Sequence, residues 1–152
     1  MTPGRRALPH QLPWSIDPSR EIFFLTVCAQ DRASGPLLSI ASELLKAIRF
    51  FHDRGKWWVH LAVIMPDHVH LLTGFPPDRR FVEIVRQWKR WTAVQLRVNW
   101  QQDFFDHRVR REENLREKSD YILSNPVRAG LAVSPEDWPY TWIADGFLGR
   151  ER

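Results

Sequence analysis

The sequence has few of the features that mark secreted or membrane proteins. Cys28 is the only cysteine, so the chain cannot form an internal disulfide and an intracellular protein is favoured. No apolar run approaches the roughly 20 residues needed to cross a bilayer. The N-terminus also lacks the apolar core of a signal peptide. At 152 residues the chain is long enough for one domain that buries a core unaided. We expect a cytoplasmic protein.

Positive charge is in excess and is unevenly distributed. The formal net charge is +4, whereas residues 79–97 alone have a balance of +5, with Glu83 as the single acidic side chain. The basic side chains there are Arg79, Arg80, Arg86, Lys89, Arg90 and Arg97. Such a concentration suits a polyanion such as nucleic acid, which makes Arg86, Lys89 and Arg90 candidate DNA contacts. A solvated helix face would show the same pattern.

Hydrophobic periodicity and turn signals predict the order β-α-β-β-α-β, followed by a helix. We predict strands at 22–29, 57–64, 67–75 and 104–110, helices at 37–54, 79–98 and 112–124, and a last strand at 130–133. The turn at 65–67 predicts an antiparallel hairpin. This order is typical of an α+β, ferredoxin-like (split βαβ) antiparallel sheet with helices on one face. Residues 1–20, which are rich in proline, are predicted to form a surface arm, and residues 21–152 a single domain with an aromatic C-terminal tail.

Two histidines stand two positions apart in the third predicted strand. Because side chains alternate along a strand, His68 and His70 are predicted to lie on the same face. Neutral imidazoles at this spacing can both reach one divalent cation. Two partly exposed histidines on a solvated sheet face would show the same spacing, so the pair alone is a weak signal.

A tyrosine near the end of the third predicted helix and an asparagine just beyond it are spaced to share a face of a helix. Tyr121 and Asn125 are four residues apart, one turn of a helix. A phenol is a poor nucleophile at neutral pH unless a cation or a base assists it, and a metal can polarise a phosphodiester. A half-buried tyrosine and an asparagine that caps a helix before Pro126 are the structural alternatives. Together, however, the four residues predict a metal site beside a nucleophile.

These segments resemble a known family. Residues 63–72 (VIMPDHVHLL) resemble the HUH motif of the single-tyrosine (IS200-like) transposases. Residues 104–110 (FFDHRVR) and 121–131 (YILSNPVRAGL) resemble the nucleophile region of that family. Residues 138–142 (WPYTW) are similar to the aromatic end of the branch called REP-associated tyrosine transposases, and the resemblance spans residues 21–142.

The resemblance implies a ferredoxin-like HUH nuclease that acts on single-stranded or hairpin DNA in a prokaryotic nucleoid. His68 and His70 match the histidines that bind Mg²⁺ or Mn²⁺, Tyr121 matches the nucleophile, and Asn125 matches the position of a third ligand. Attack by Tyr121 would leave a 5′-phosphotyrosine and a free 3′-hydroxyl, and reversal by another 3′-hydroxyl would join strands. REP-type relatives resemble monomers whose tyrosine acts in its own chain, so we expect a monomer rather than a homodimer.

The sequence also departs from the family pattern. Many relatives have asparagine where Asp67 stands, and we expect this carboxylate to tighten cation binding or to act as a partner of a histidine. His107, Arg108 and Arg110 are further candidates for contacts to the phosphate or the DNA. His107 could equally hold Asp106 or a backbone carbonyl.

Two other functions fit the same residues. One is a catalytically idle nucleic-acid-binding regulator on the same fold. The other is a hydrolase that uses the two histidines and a metal-bound water, for which Tyr121 would be incidental. The chain lacks the additional His and Asp ligands that such hydrolases usually cluster nearby.

Overall fold

The computed structural model describes residues 21–78, 80–110 and 112–147, so the predicted arm at 1–20 lies outside the described residues. The described strands form one antiparallel sheet in the order β4-β1-β3-β2-β5. Its strands are β1 (Ile22–Cys28), β2 (Trp58–Ile64), β3 (His68–Gly74), β4 (Phe105–Val109) and β5 (Thr141–Ile143). The helices are α1 (Ala41–Asp53), α2 (Phe81–Leu96), α3 (Glu112–Leu123) and the short α4 (Asn125–Arg128). The predicted ferredoxin-like α+β fold is confirmed.

The central hairpin forms as predicted. Strands β2 and β3 pair antiparallel on either side of the tight turn at 65–67, which is closed by a 2.8 Å bond from the Met65 N–H to the His68 carbonyl. Strand β1 pairs with the other side of β3 and places Thr26 directly opposite His70. The two histidines therefore lie at the start of an inner strand, with neighbours on both sides.

Helices α1 and α2 cover one face of the sheet. Their apolar stripes include Leu44 and Ile48 on α1 and Ile84 and Trp88 on α2, and these pack with Leu25 of β1 in the larger core. The helical spacing at 37–54 and 79–98 anticipates both stripes. The first residues of the predicted first helix form a 3₁₀ turn at Leu38–Ile40 instead.

Helix α3 packs against the opposite face. Leu115 and Ile122 are buried there against Leu61, Val63 and Leu72 of the central hairpin. These strand positions alternate with those that face α1 and α2, as the period of a strand requires. The face that carries His70 is thus only partly covered, and α3 borders the open part.

The predicted last strand at 130–133 is wrong. Gly130 adopts φ +75°, and its N–H bonds the Val127 carbonyl while the Leu131 N–H bonds the Pro126 carbonyl, an arrangement that ends α4. Val133 is 90% exposed, and none of the strand pairings in the described residues involves 130–133.

The fifth strand instead comes from the aromatic tail. Strand β5 pairs with β2, with Thr141 opposite Val63 and Ile143 opposite Leu61. The buried indole of Trp138 donates a 2.9 Å hydrogen bond to the Ile64 carbonyl and fixes the start of this strand.

None of the helices in the described part of the chain combines the length and apolar character needed to cross a bilayer.

Candidate nuclease site

The two histidines converge on one point. The Nε2 atoms of His68 and His70 are 3.2 Å apart, and the ring centroids are 4.5 Å apart. Both rings lie on the face bordered by α3, as the two-residue spacing predicts. These two side chains form the histidine pair.

The other nitrogen of each ring is already engaged. The Nδ1 of His70 bonds the Thr26 hydroxyl at 3.1 Å, and the Nδ1–H of His68 donates to Asp67 Oδ1 at 2.7 Å. Arg32 binds the other carboxylate oxygen of Asp67, Oδ2, at 2.7 Å. Because a carboxylate only accepts, His68 keeps its proton on Nδ1 and leaves a lone pair on Nε2. Carboxylate partners of this kind orient imidazoles that bind metals.

The electrostatics keep both imidazoles neutral. Burial, reinforced by the neighbouring His68, lowers the pKa of His70 from 6.5 to about 3. Burial also lowers the pKa of His68, against the opposing effect of Asp67. Burial alone would raise the pKa of Asp67, but its hydrogen bonds from Arg32 and His68 outweigh this and lower it. A neutral imidazole is the form that binds a metal.

The spacing of the histidine pair fits a shared divalent cation. Nitrogens bound to one ion at about 2.1 Å and at a right angle lie about 3.0 Å apart, close to the observed 3.2 Å. Among the described residues, no third His, Cys, Asp or Glu completes a group that could hold a metal. The amide of Asn125, which lines the same cleft, is a further protein oxygen available there.

Tyr121, on α3, lies beside the histidine pair. Leu115 and Ile122 face the sheet, which turns Tyr121 sideways and leaves it 49% exposed. Its ring centroid lies 6.2 Å from that of His70 and 6.2 Å from that of Phe24. The tyrosine and the histidine pair therefore come together within one chain.

These side chains line an open cleft of about 520 Å³. The lining residues are Phe24, Thr26, Arg32, His68, His70, Lys118, Tyr121 and Asn125. Two of them, Arg32 and Lys118, carry a positive charge, and the Lys118 ammonium lies 5.9 Å from the centre of the Phe24 ring. A cleft with imidazoles, a phenol and fixed cations suits a phosphodiester.

The predicted residues on and after β4 separate onto two faces. His107 is exposed on the face of the histidine pair, opposite Phe24. Arg108 lies on the other face, where its guanidinium sits 5.4 Å from the centre of the Phe23 ring and 3.4 Å from Glu21. Arg110 is exposed just beyond the end of the strand.

The basic residues of α2 lie away from the cleft. Arg86 and Arg90 are exposed on the helix layer, with the sheet between them and the histidine pair. Lys89 points inward, is 9% exposed, and donates at 2.7 Å to the carbonyls of Gln101 and Gln102. Its ammonium is therefore occupied by the loop before β4.

Several residues at the site were missed in the sequence. Thr26, Arg32 and Lys118 line the cleft, and Phe105 is 65% exposed on the same face of β4, opposite Thr26. The alternation in β1 indicates that Phe24 and Thr26 share a face. Only the pairing of β1 with β3 and β4 shows that these residues lie on the same face of the sheet as the histidine pair.

Comparison with known proteins identifies the family. The family model described as "Transposase IS200 like" matches residues 24–121. An Escherichia coli REP-associated tyrosine transposase is 30% identical over 126 residues, which cover 78% of this chain and 74% of that protein. A Haemophilus influenzae protein provisionally given the same name is 27% identical over 137 residues, covering 79% and 78%.

A solved structure agrees with the sequence relatives. The structure of a REP-associated tyrosine transposase bound to a REP hairpin superposes with a TM-score of 0.72 and 25% identity, covering 86% of this chain and 82% of that chain. The chain therefore belongs to the IS200-like transposase family, among the REP-associated tyrosine transposases, enzymes that cleave DNA and transfer its strands.

Proposed function

We propose that this protein is a metal-dependent endonuclease and strand transferase of single-stranded DNA that forms a 5′-phosphotyrosine through Tyr121. The observation that carries the proposal is the 6.2 Å separation of the Tyr121 and His70 rings beside two converging Nε2 atoms. We further propose hairpin DNA of the REP type as the substrate, because the solved relative is bound to a REP hairpin.

His68, His70 and Asn125 would hold the divalent cation, Mg²⁺ or Mn²⁺. When bound, the ion supplies positive charge against the phosphate and the departing oxygen. Asp67 keeps the His68 ring oriented, and Thr26 does the same for His70. These contacts engage the two Nδ1 atoms and leave the two Nε2 atoms oriented to bind a cation without rearrangement.

Tyr121 is the nucleophile of the covalent step. The phenol oxygen of Tyr121 loses its proton and forms a bond to phosphorus, while the bond from phosphorus to the 3′ oxygen breaks and that oxygen gains a proton. The products are a 5′-phosphotyrosine and a free 3′-hydroxyl. Attack by a second 3′-hydroxyl restores the phenol and joins the strands, so no ATP is needed.

We propose that the single strand crosses the cleft towards β4. Lys118 and Arg32 supply charge for the phosphates at the cleft, and the exposed ring of Phe105 offers a surface on which an unpaired base can stack. His107, exposed on the same face, is a further contact. Arg110, Arg108, Arg86 and Arg90 lie farther from the cleft and would serve the backbone of the hairpin.

The proposed active unit is a monomer. The cleft draws Tyr121 and the histidine pair from one chain, so it needs no exchange of helices with a partner. A DNA substrate is consistent with a place at the nucleoid of a prokaryotic cytoplasm.

Trapping of the covalent intermediate tests the proposal. Oligonucleotides carrying REP-like hairpins from the source genome, with randomised single-stranded flanks, are incubated with protein and Mn²⁺ and resolved on a denaturing gel. We expect a protein–DNA band that disappears in Tyr121→Phe and in chelator. Tyr140→Phe is the matched control, because the chain has only two tyrosines.

The other outcomes identify the competing functions. Cleavage that survives Tyr121→Phe would indicate a hydrolase that uses water. Tight hairpin binding without cleavage in any divalent metal would indicate a regulator. Either result would overturn the proposed mechanism.

A further inference from the structure

Arg128 makes two contacts to the tyrosine that the proposed mechanism does not use. Its guanidinium carbon lies 4.0 Å from the centre of the Tyr121 ring, and its Nη2 donates a 2.8 Å hydrogen bond to the Tyr121 carbonyl. The first contact is a close cation–π interaction, and the second restrains the guanidinium at the ring. Both contacts therefore join Tyr121 to a side chain seven residues later in the chain.

The break between α3 and α4 makes this arrangement possible. Helix α3 ends at Leu123, and Pro126 in the next turn has no N–H to donate. Carbonyls in the last turn of a helix lack partners within it, and Arg128 supplies one for Tyr121. The Arg128 N–H bonds the Ser124 carbonyl, so α4 continues the helical path and brings residue 128 onto the side that carries the tyrosine.

Two side chains besides His70 contact the Tyr121 ring. The Phe24 ring meets it edge-on, with an interplanar angle of 64° and 6.2 Å between the centroids, and the Arg128 guanidinium provides the second contact. A tyrosine 49% exposed on a helix surface would otherwise be free to change rotamer. The two contacts restrict the direction in which the phenol oxygen points.

We propose that Arg128 is a positioning residue for the Tyr121 nucleophile, stacked on its ring and hydrogen-bonded to its backbone. This inference rests on the proposed function. The ring becomes richer in electrons as the phenol loses its proton, so a cation on its face is held more strongly in the transition state than in the resting enzyme. Interactions that strengthen towards the transition state raise the rate of the chemical step rather than affinity.

Arg128→Met removes the charge and the hydrogen bonds at similar length, and Arg128→Lys keeps the charge but loses the planar stack. At saturating DNA, we expect Arg128→Met to slow formation of the covalent complex about 5- to 30-fold, the combined effect of losing an exposed cation–π contact and a hydrogen bond. We expect Arg128→Lys to be intermediate and free guanidinium to restore part of the rate in Arg128→Met. Hairpin affinity, measured in the Tyr121→Phe background, should change less than threefold.

A spectroscopic measurement tests the same contact without DNA. In Tyr140→Phe protein labelled with 3-fluorotyrosine, Tyr121 gives the single ¹⁹F resonance of the folded chain. We expect Arg128→Met to move this resonance towards its unfolded position, whereas Arg116→Met, a change at an exposed arginine of α3, leaves it in place.

Two results would overturn the inference. One is an unchanged ¹⁹F resonance in Arg128→Met. The other is a loss of hairpin affinity as large as the loss of rate, which would make Arg128 a phosphate contact. Failure of the wild-type protein to form any covalent complex would instead refute the proposed function, and the ¹⁹F experiment would still decide whether Arg128 positions the ring.

Discussion

The buried histidine of the pair should make folding stability depend on pH. His70 is 5% exposed, and burial lowers its pKa from 6.5 to about 3 in the folded protein. In the unfolded chain the imidazole takes up a proton near pH 6.5, whereas in the folded chain it stays neutral until about pH 3. The unfolded state therefore binds more protons between these values. Stability contributed by neutral His70 is complete above pH 6.5 and is lost as the pH falls towards 3.

The size of the effect follows from linkage. One proton taken up only by the unfolded state changes the free energy of unfolding by about 1.4 kcal/mol per pH unit. Between pH 7.5 and pH 5.0, His70 should therefore account for a loss of about 2 kcal/mol. Because carboxylates and the other histidines also titrate, the quantity to measure is the difference between the wild-type protein and His70→Gln.

Urea unfolding in EDTA at pH 7.5 and 5.0 provides this measurement. We expect the wild-type free energy of unfolding to fall by about 2 kcal/mol more than that of His70→Gln over this range. His107→Gln, a change at the exposed histidine of β4, provides the matched control. Equal losses in wild type and His70→Gln would refute the argument that burial keeps His70 neutral.

Three further substitutions test other parts of the structure. Thr26→Val removes the hydroxyl that bonds His70 and should weaken Mn²⁺ binding, measured by calorimetry, about 10- to 100-fold. Thr73→Val, on the opposite face of the sheet, should not weaken it. Equal Mn²⁺ affinities of the wild-type protein and Thr26→Val would contradict the role of the hydroxyl. Phe105→Ala should weaken binding of single-stranded DNA about 5- to 100-fold in fluorescence titrations, and Phe50→Ala on the far side of the sheet serves as its control. Lys89→Met should lower the free energy of unfolding by about 1–3 kcal/mol, because the carbonyls of Gln101 and Gln102 lose their charged donor, and it should leave hairpin affinity unchanged. A selective loss of affinity would show that Lys89 contacts DNA.

The elements could be predicted because their signals are local. The strand period places His68 and His70 on one face, and the apolar stripe of Leu115 and Ile122 turns Tyr121 to the side of its helix. The last strand could not be predicted in this way. Residues 130–133 have strand-like composition, but Gly130 ends α4, and β5 depends on a hydrogen bond from Trp138 to Ile64, 74 residues away.

The basic segment shows the limit of reasoning from charge. Its six cations predict a face for a polyanion, yet Lys89 is turned into the protein, and Arg86 and Arg90 lie on the layer away from the histidine pair. Net charge along a sequence does not reveal which side of a sheet a helix covers. The cations nearest the cleft, Arg32 and Lys118, come from segments without a concentration of positive charge.

The sequence by itself determined two pairs of side chains. The imidazoles of His68 and His70 lie on one face of a strand, and the phenol of Tyr121 lies one helical turn from the amide of Asn125. Both follow from the sequence because the periods of a strand and of a helix are properties of the backbone. Only the tertiary structure decided that these pairs meet, because the order of strands depends on how the whole sheet packs. That order places Thr26 beside His70, and the loop after β1 brings Arg32 to Asp67. The same packing brings the ring of Tyr121 into contact with Phe24 at the edge of the cleft, where Arg128 also contacts it.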